Sequence, residues 1–136
     1  MATLRVELIT GEGILYEGRA KMVSAPGAEG QLGILPHHAP LISALVPGEL
    51  RLILEDRDEP FAVSGGVMEV RDDRVIILAD TAERADEIDV KRAEAARQRA
   101  LISQRRASTR EEYVKAGLAL QRSRVRLRVA RRRGKR

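Results

Sequence analysis

The sequence predicts an α+β protein, in which an N-terminal antiparallel β-sandwich of about ten strands over residues 1–86 is followed by a C-terminal antiparallel α-helical hairpin over residues 87–136. Three observations carry this. Period-two runs punctuated by turn residues fill the first half, and good helix formers without a single proline after Pro60 fill the second. Charge divides at the same place: residues 1–86 hold 8 Lys or Arg against 15 Asp or Glu, a balance of −7, whereas residues 87–136 hold 17 against 5, a balance of +12, within a net +5. Such asymmetry points to two modules with different surroundings, the second facing something acidic.

Each strand is marked locally. Leu4-Arg5-Val6-Glu7-Leu8 alternates apolar and charged side chains, as a half-buried strand does, and Thr10-Gly11-Glu12-Gly13 then turns the chain. Ile14 to Tyr16 and Ala20 to Ser24 follow, and Ala25 to Gly30 reads as a turn-rich loop. Later strand candidates are 31–35, 41–45, 49–54, 60–64, 67–71 and 75–79, with Gly65-Gly66 and Asp72-Asp73 expected as tight turns.

The helices are marked by small residues and by caps. Ala93, Ala96, Ala100, Ser103 and Ala107 recur at steps of three and four, and Tyr113, Ala116, Leu120, Ser123, Leu127 and Ala130 draw a second stripe. Ser108 with Glu111, or Thr109 with Glu112, forms a capping box, which places the break near Ala107 to Arg110. Alanine and serine bury little apolar area, at roughly 25 cal/mol for each Å². The hairpin is therefore expected to be weakly held, which suits a switch. Charge repulsion opposes continuing the helix through Arg131 to Arg136.

Several classes of function are excluded or disfavoured. With no cysteine there is no disulfide and no thiolate metal site, and His37 and His38 lack a third histidine to complete a ligand set. No segment pairs a nucleophile with a base, and Gly27-Ala28-Glu29-Gly30 lacks the Lys-Ser/Thr ending of a phosphate loop, so no catalytic residue is assigned. Nucleic-acid binding through Arg122 to Arg136 finds one Phe and two Tyr in the chain, almost no material for base stacking. The N-terminus lacks a leader pattern, and no window approaches the roughly 18 uncharged apolar residues of a membrane span, so membrane association is expected only through partners.

Longer motifs carry a resemblance. The run from Ala25-Pro26-Gly27 through Gly33-Ile34-Leu35-Pro36-His37-His38-Ala39-Pro40-Leu41 resembles the epsilon-subunit family of bacterial F-type ATP synthases. So do Val46-Pro47-Gly48-Glu49-Leu50-Arg51, Ser64-Gly65-Gly66-Val67-Met68-Glu69-Val70 and Val75 to Glu83. The resemblance implies a non-catalytic coupling subunit at the cytoplasmic face of the cell membrane. Its sandwich would bind the gamma subunit and the ring of c subunits, through Gln31, Leu32 and His38 on the rotor side. Gln31 stands where the family often has an acidic residue, and His37 where it frequently has glycine. The hairpin would lie folded on the sandwich or extend toward the catalytic β and α subunits, restraining ATP hydrolysis when extended, with Arg122, Arg124, Arg126, Arg128 and Arg131 to Arg133 meeting their acidic surface.

The run Ile88-Asp89-Val90-Lys91-Arg92-Ala93 is similar to the Ile-Asp-x-x-Arg-Ala motif by which some members of that family bind ATP as a regulatory ligand; no cofactor is required. In those members Glu83, Arg99, Arg122 and Arg126 would complete the site. Asp89 and Arg92 sit three apart and share one face of a first helical turn. The residues alone leave two readings open, since Asp89 can serve as a helix cap and the arginines as solvated helix faces.

Overall fold

The computed structural model describes residues 2–132. In β1 (Leu4–Thr10) the side chains of Leu4, Val6 and Leu8 are buried and those between are half-exposed, because successive strand residues point to opposite faces. β1 pairs with β2 (Gly13–Ala20) across a tight turn in which the Glu12 amide donates to Thr10 Oγ1 at 3.2 Å. β3 (Met22–Gly27) turns directly into β4 (Gly30–Ile34), so the loop expected over residues 25–30 contracts to Ala28 and Glu29.

The largest correction concerns β5 (Leu41–Ile53) and β6 (Asp58–Arg71), which absorb four of the expected strands, so the described residues hold eight strands and not about ten. Gly65 and Gly66 do not turn the chain. They take positive φ, 122° and 140°, inside β6, and the inward alternation slips by one there, from Phe61 and Val63 to Met68 and Val70. β5 slips at the facing position, from Leu45 to Leu50 and Leu52. Leu45 pairs with Gly66 and Pro47 with Ser64, so the two slips cancel and the ribbon stays in register on both sides.

Asp72 and Asp73, both left-handed at φ 51° and 59°, make the expected two-residue turn into β7 (Arg74–Ala79). The sheet order is β2-β1-β7-β6-β5-β3-β4, and β8 (Ala82–Arg84) adds to β6. β1 and β7 run parallel; the other strand pairs among the described residues are antiparallel.

A 3-10 turn (Ala85–Glu87) leads into the helices. Asp89 caps α1 (Val90–Arg106), its carboxylate accepting the Arg92 amide at 3.1 Å. Thr109 caps α2 (Arg110–Ala130) by accepting the Glu112 amide at 3.1 Å, and the Glu112 carboxylate turns back to the Ser108 amide at 3.0 Å. The break falls where the sequence places it. Ala93 and Ala100 of the first stripe are buried, as are Ala116, Leu120 and Ser123 of the second, whereas Tyr113, at the edge of its stripe, is exposed.

α2 has a second buried face that the stripe does not reveal. Val125 and Val129 each lie nine residues, two and a half turns, beyond Ala116 and Leu120 respectively, hence on the opposite side of the helix. They pack with Ile88, Ala62, Ala85 and Ala130 in a small apolar cluster. The main core, built around Phe61, Leu50, Leu52 and Met68, contains no residue of either helix. α2 is thus held between α1 and the sandwich, on a core of its own. Residues 133–136, where the end of the basic tail falls, lie outside the described residues.

Candidate functional site

A cleft of ≈ 1230 Å³ opens between the sandwich and the two helices. On the sandwich side, Glu83 is placed by β8, where it pairs with Ala62 of β6. Its neighbour Arg84 fixes that strand: the guanidinium donates to Glu59 Oε1 at 2.9 Å and to the Leu15 carbonyl at 2.7 Å, and lies 5.2 Å from the centre of the Phe61 ring. Glu59 is nearly inaccessible and also accepts from Arg57 Nε at 3.0 Å, so its buried charge is compensated.

On the helix side, Arg99 and Arg122 line the cleft together with Arg126. Arg126 grips Glu83 as a fork, Nε to Oε1 at 2.6 Å and Nη2 to Oε2 at 3.2 Å. Arg99 and Arg122 make no ion pair among the described residues. The structure therefore brings together four of the expected ATP-site residues, Glu83, Arg99, Arg122 and Arg126, although 43 positions separate the fork partners.

The other four stand apart from the cleft lining. Ile88 is buried in the small apolar cluster, Ala93 is fully buried, and the Asp89 carboxylate is occupied as the cap of α1. Arg92 is exposed on the turn before Ala96, the first α1 residue of the cleft wall. Two cations that the motif does not include, Arg106 and Lys115, also line the cleft. Their signal was in the spacing: Arg106 follows Arg99 by seven and Lys115 precedes Arg122 by seven, so each continues the same helix face. Five cationic side chains thus line the cleft, with Glu12, Asp80 and Glu83 on the sandwich side and Glu112 on α2 itself, a constellation that offers an anion several donors.

The residues expected at partner surfaces divide as well. Gln31 is exposed, but its amide nitrogen is committed within the chain, donating to Ser24 Oγ at 2.9 Å and to the Glu49 carbonyl at 3.1 Å. Leu32 packs partly against the main core. His38 is exposed, with Nδ1 2.7 Å from the Ala39 carbonyl. His37 takes φ 70°, a conformation that glycine adopts freely, and its amide donates to Asp73 Oδ1 at 2.6 Å. Of the basic tail, Arg124 and Arg128 line a separate, smaller groove with Pro47. Arg131 is exposed, Arg132 is ion-paired to Glu49, and Arg133 lies outside the described residues.

A β-sandwich followed by a two-helix hairpin that packs on a small apolar cluster of its own defines a two-module α+β class of protein. Two family models cover the chain: the ATP synthase delta/epsilon chain β-sandwich domain matches residues 3–85, and the delta/epsilon chain long α-helix domain matches residues 86–131. The chain belongs to the ATP synthase delta/epsilon chain family. It is 49% identical over 127 residues to the ATP synthase epsilon chain of Herpetosiphon aurantiacus, covering 93% of each chain. It is 45% identical over 141 residues to that of Dehalococcoides mccartyi, covering 99% of this chain and 97% of the other. An epsilon chain is a subunit of the synthase and not itself catalytic, and the same holds here.

Solved structures show the same fold. A chain of the Euglena gracilis mitochondrial ATP synthase, solved as OSCP, F1 and c-ring, superposes with a TM-score of 0.80 at 22% identity, over 89% of this chain and 77% of that one. A chain of the Tetrahymena thermophila mitochondrial enzyme, solved as central stalk and c-ring, gives 0.70 at 17% identity, over 93% and 96%. No helix of the described residues is long and apolar enough to cross a membrane.

Proposed function

We propose that this chain is the central-stalk subunit of a bacterial rotary ATP synthase, bound to the gamma subunit and the c ring at the cytoplasmic face of the membrane. There it couples the rotor to proton-driven ATP synthesis. The observation that carries this is the full-length likeness to bacterial epsilon chains in both modules. A surface feature supports it. Ala44, Val67, Leu78, Ile9 and Ile14 stand opposite one another on five consecutive strands and form an apolar row on the outer face of the sheet. Val67, Leu78 and Ile14 are 44, 52 and 60% exposed, and because they are contiguous they form an apolar patch of the kind that marks an interaction surface. Gamma is the occupant proposed. Replacing Val67 and Leu78 together by Asp should abolish co-elution of the chain with gamma; undiminished co-elution rejects this surface.

The second module carries the regulatory part of the proposal. The hairpin rests on a small cluster of Val, Ile and Ala side chains, outside the main core, so it can leave the sandwich without unfolding it. In the extended form Arg122, Arg124, Arg126 and Arg128 would reach the acidic surface of the β and α subunits and restrain ATP hydrolysis. ATP in the cationic cleft would favour the folded form by joining arginines of both helices. Calorimetry of the whole chain with ATP, repeated with Arg122→Ala, tests the sensing step. Heat that is lost with the variant supports it, and no heat with either protein rejects it.

A further inference from the structure

Among the described residues two arginine forks tie α2 to the sandwich, and they differ in position. Arg126 and Glu83 both line the cleft. Arg132, two residues past the end of α2, grips Glu49 on β5 with Nε to Oε2 at 2.8 Å and Nη2 to Oε1 at 3.1 Å, and neither residue belongs to the cleft wall. The Glu49 side chain is only 14% exposed. It stands on the central ribbon beside the facing slips of β5 and β6, and its backbone carbonyl accepts from Gln31, so the carboxylate is presented from a rigid base.

The two forks have unequal fates when an anion enters the cleft. A phosphate offers a guanidinium the same paired acceptors that a carboxylate does, so it competes with Glu83 for Arg126. Whatever bonds the ligand itself adds, the tie it competes with is one of the two forks that join α2 to the sandwich among the described residues. Between them Val125, Val129 and Ala130 pack against Ala62, Ala85 and Ile88, an apolar contact of small side chains. The Glu49 fork shares no group with the cleft wall, so an anion bound there does not compete for it.

We infer that the Glu49–Arg132 pair is a latch, independent of any cleft ligand, that keeps the C-terminal end of α2 docked on the sandwich. The inference rests on the movable hairpin proposed above, but its test does not. Amide hydrogen exchange of residues 125–130 is measured on the whole chain without nucleotide, with the β6 amides as the control for folding. Glu49→Gln and Arg132→Gln should each raise exchange of residues 125–130 about five- to tenfold and leave β6 protected, as expected for a partly shielded fork. The double exchange Glu49→Arg with Arg132→Glu should bring the rate most of the way back. Raising salt toward about 1 M should accelerate exchange more in the unaltered chain than in Glu49→Gln, where only the Arg126–Glu83 fork is left to screen. Unchanged exchange in both single variants, or a charge swap no slower than the singles, overturns the latch. If the variants loosen α2 as expected while spin labels on the hairpin tip never move in the assembled synthase, the latch stands and the regulatory reading is the one that falls.

Discussion

Arg126 and Glu83 meet fork to fork across the mouth of the cleft, at 2.6 and 3.2 Å, and join the last turns of α2 to the short strand β8. Both side chains keep about a third of their surface in water, 29% for Arg126 and 36% for Glu83, so solvent screens the attraction and the pair contributes about 1 kcal/mol. Arg126→Ala and Glu83→Ala should each loosen α2 by that amount. The double variant should be little worse than either, because both remove the same interaction. Hydrogen exchange of residues 125–130 checks this, and additive losses would show that the residues act separately.

A second prediction concerns the start of α2. The Ser108 amide and hydroxyl donate to the Glu112 carboxylate and hold its pKa below the ordinary glutamate range, with a smaller contribution from the Thr109 backbone. A carboxyl whose folded pKa is depressed stabilises the fold above its unfolded pKa and loses that contribution as the pH falls through the folded value. Helicity of the hairpin should accordingly decline as acid takes the solution below the ordinary glutamate range. Glu112→Gln should remove the part of that decline owed to the cap. Circular dichroism against pH on both proteins measures it, and identical curves would mean that the cap carries no pH dependence.

Much of this second module was legible because its signals are local. The period change, the capping residues and the break between Ala107 and Arg110 are each written within a few adjacent positions, and the structure places them accordingly. What stayed hidden depends on distant partners. Gly65-Gly66 has the composition of a turn, and only the matching slip in β5 keeps it inside a strand. The parallel pairing of β1 with β7 joins segments nearly seventy residues apart and leaves no local trace. In the site, heptad spacing could have located Arg106 and Lys115, but nothing in the motif separates Asp89 as a cap from Asp89 as a ligand contact. Val125 and Val129 were missed because a helix buried on two opposite faces shows no single stripe.

The glycine pair yields a third prediction. A Cβ at Gly66 would collide with the Leu78 carbonyl oxygen, and the residue already holds φ at 140°. Gly66→Ala should cost about 2 kcal/mol or more, through backbone strain and loss of the neighbouring pairing to β7. Thermal or urea unfolding of the sandwich measures the loss, and a change within about 0.5 kcal/mol would contradict the strain.

His37 makes a gentler case. Its left-handed backbone is held by a hydrogen bond from its own amide to the Asp73 carboxylate, which any residue at position 37 except proline can donate. His37→Gly should therefore be close to neutral, whereas Asp73→Ala, which strips the acceptor and replaces a left-handed turn residue, should cost about 1–2 kcal/mol. Equilibrium unfolding of the two variants side by side decides this; a His37→Gly loss exceeding that of Asp73→Ala would show that the imidazole matters more than the backbone bond.

The two cores should also separate under mutation. Val129 is fully buried in the small cluster and is no part of the main core, so Val129→Ala removes about 2 kcal/mol of apolar burial from the attachment of the hairpin and leaves the main core intact. Phe61 lies in the main core, and Phe61→Ala should cost about 3–5 kcal/mol there. Hydrogen exchange resolved along the chain should show Val129→Ala releasing α2 while β5 and β6 keep their protection, and Phe61→Ala lowering protection throughout the strands. A hairpin that shared its interior with the sandwich would instead transmit the Val129 loss into β6. That result would remove the physical basis for a module able to change position.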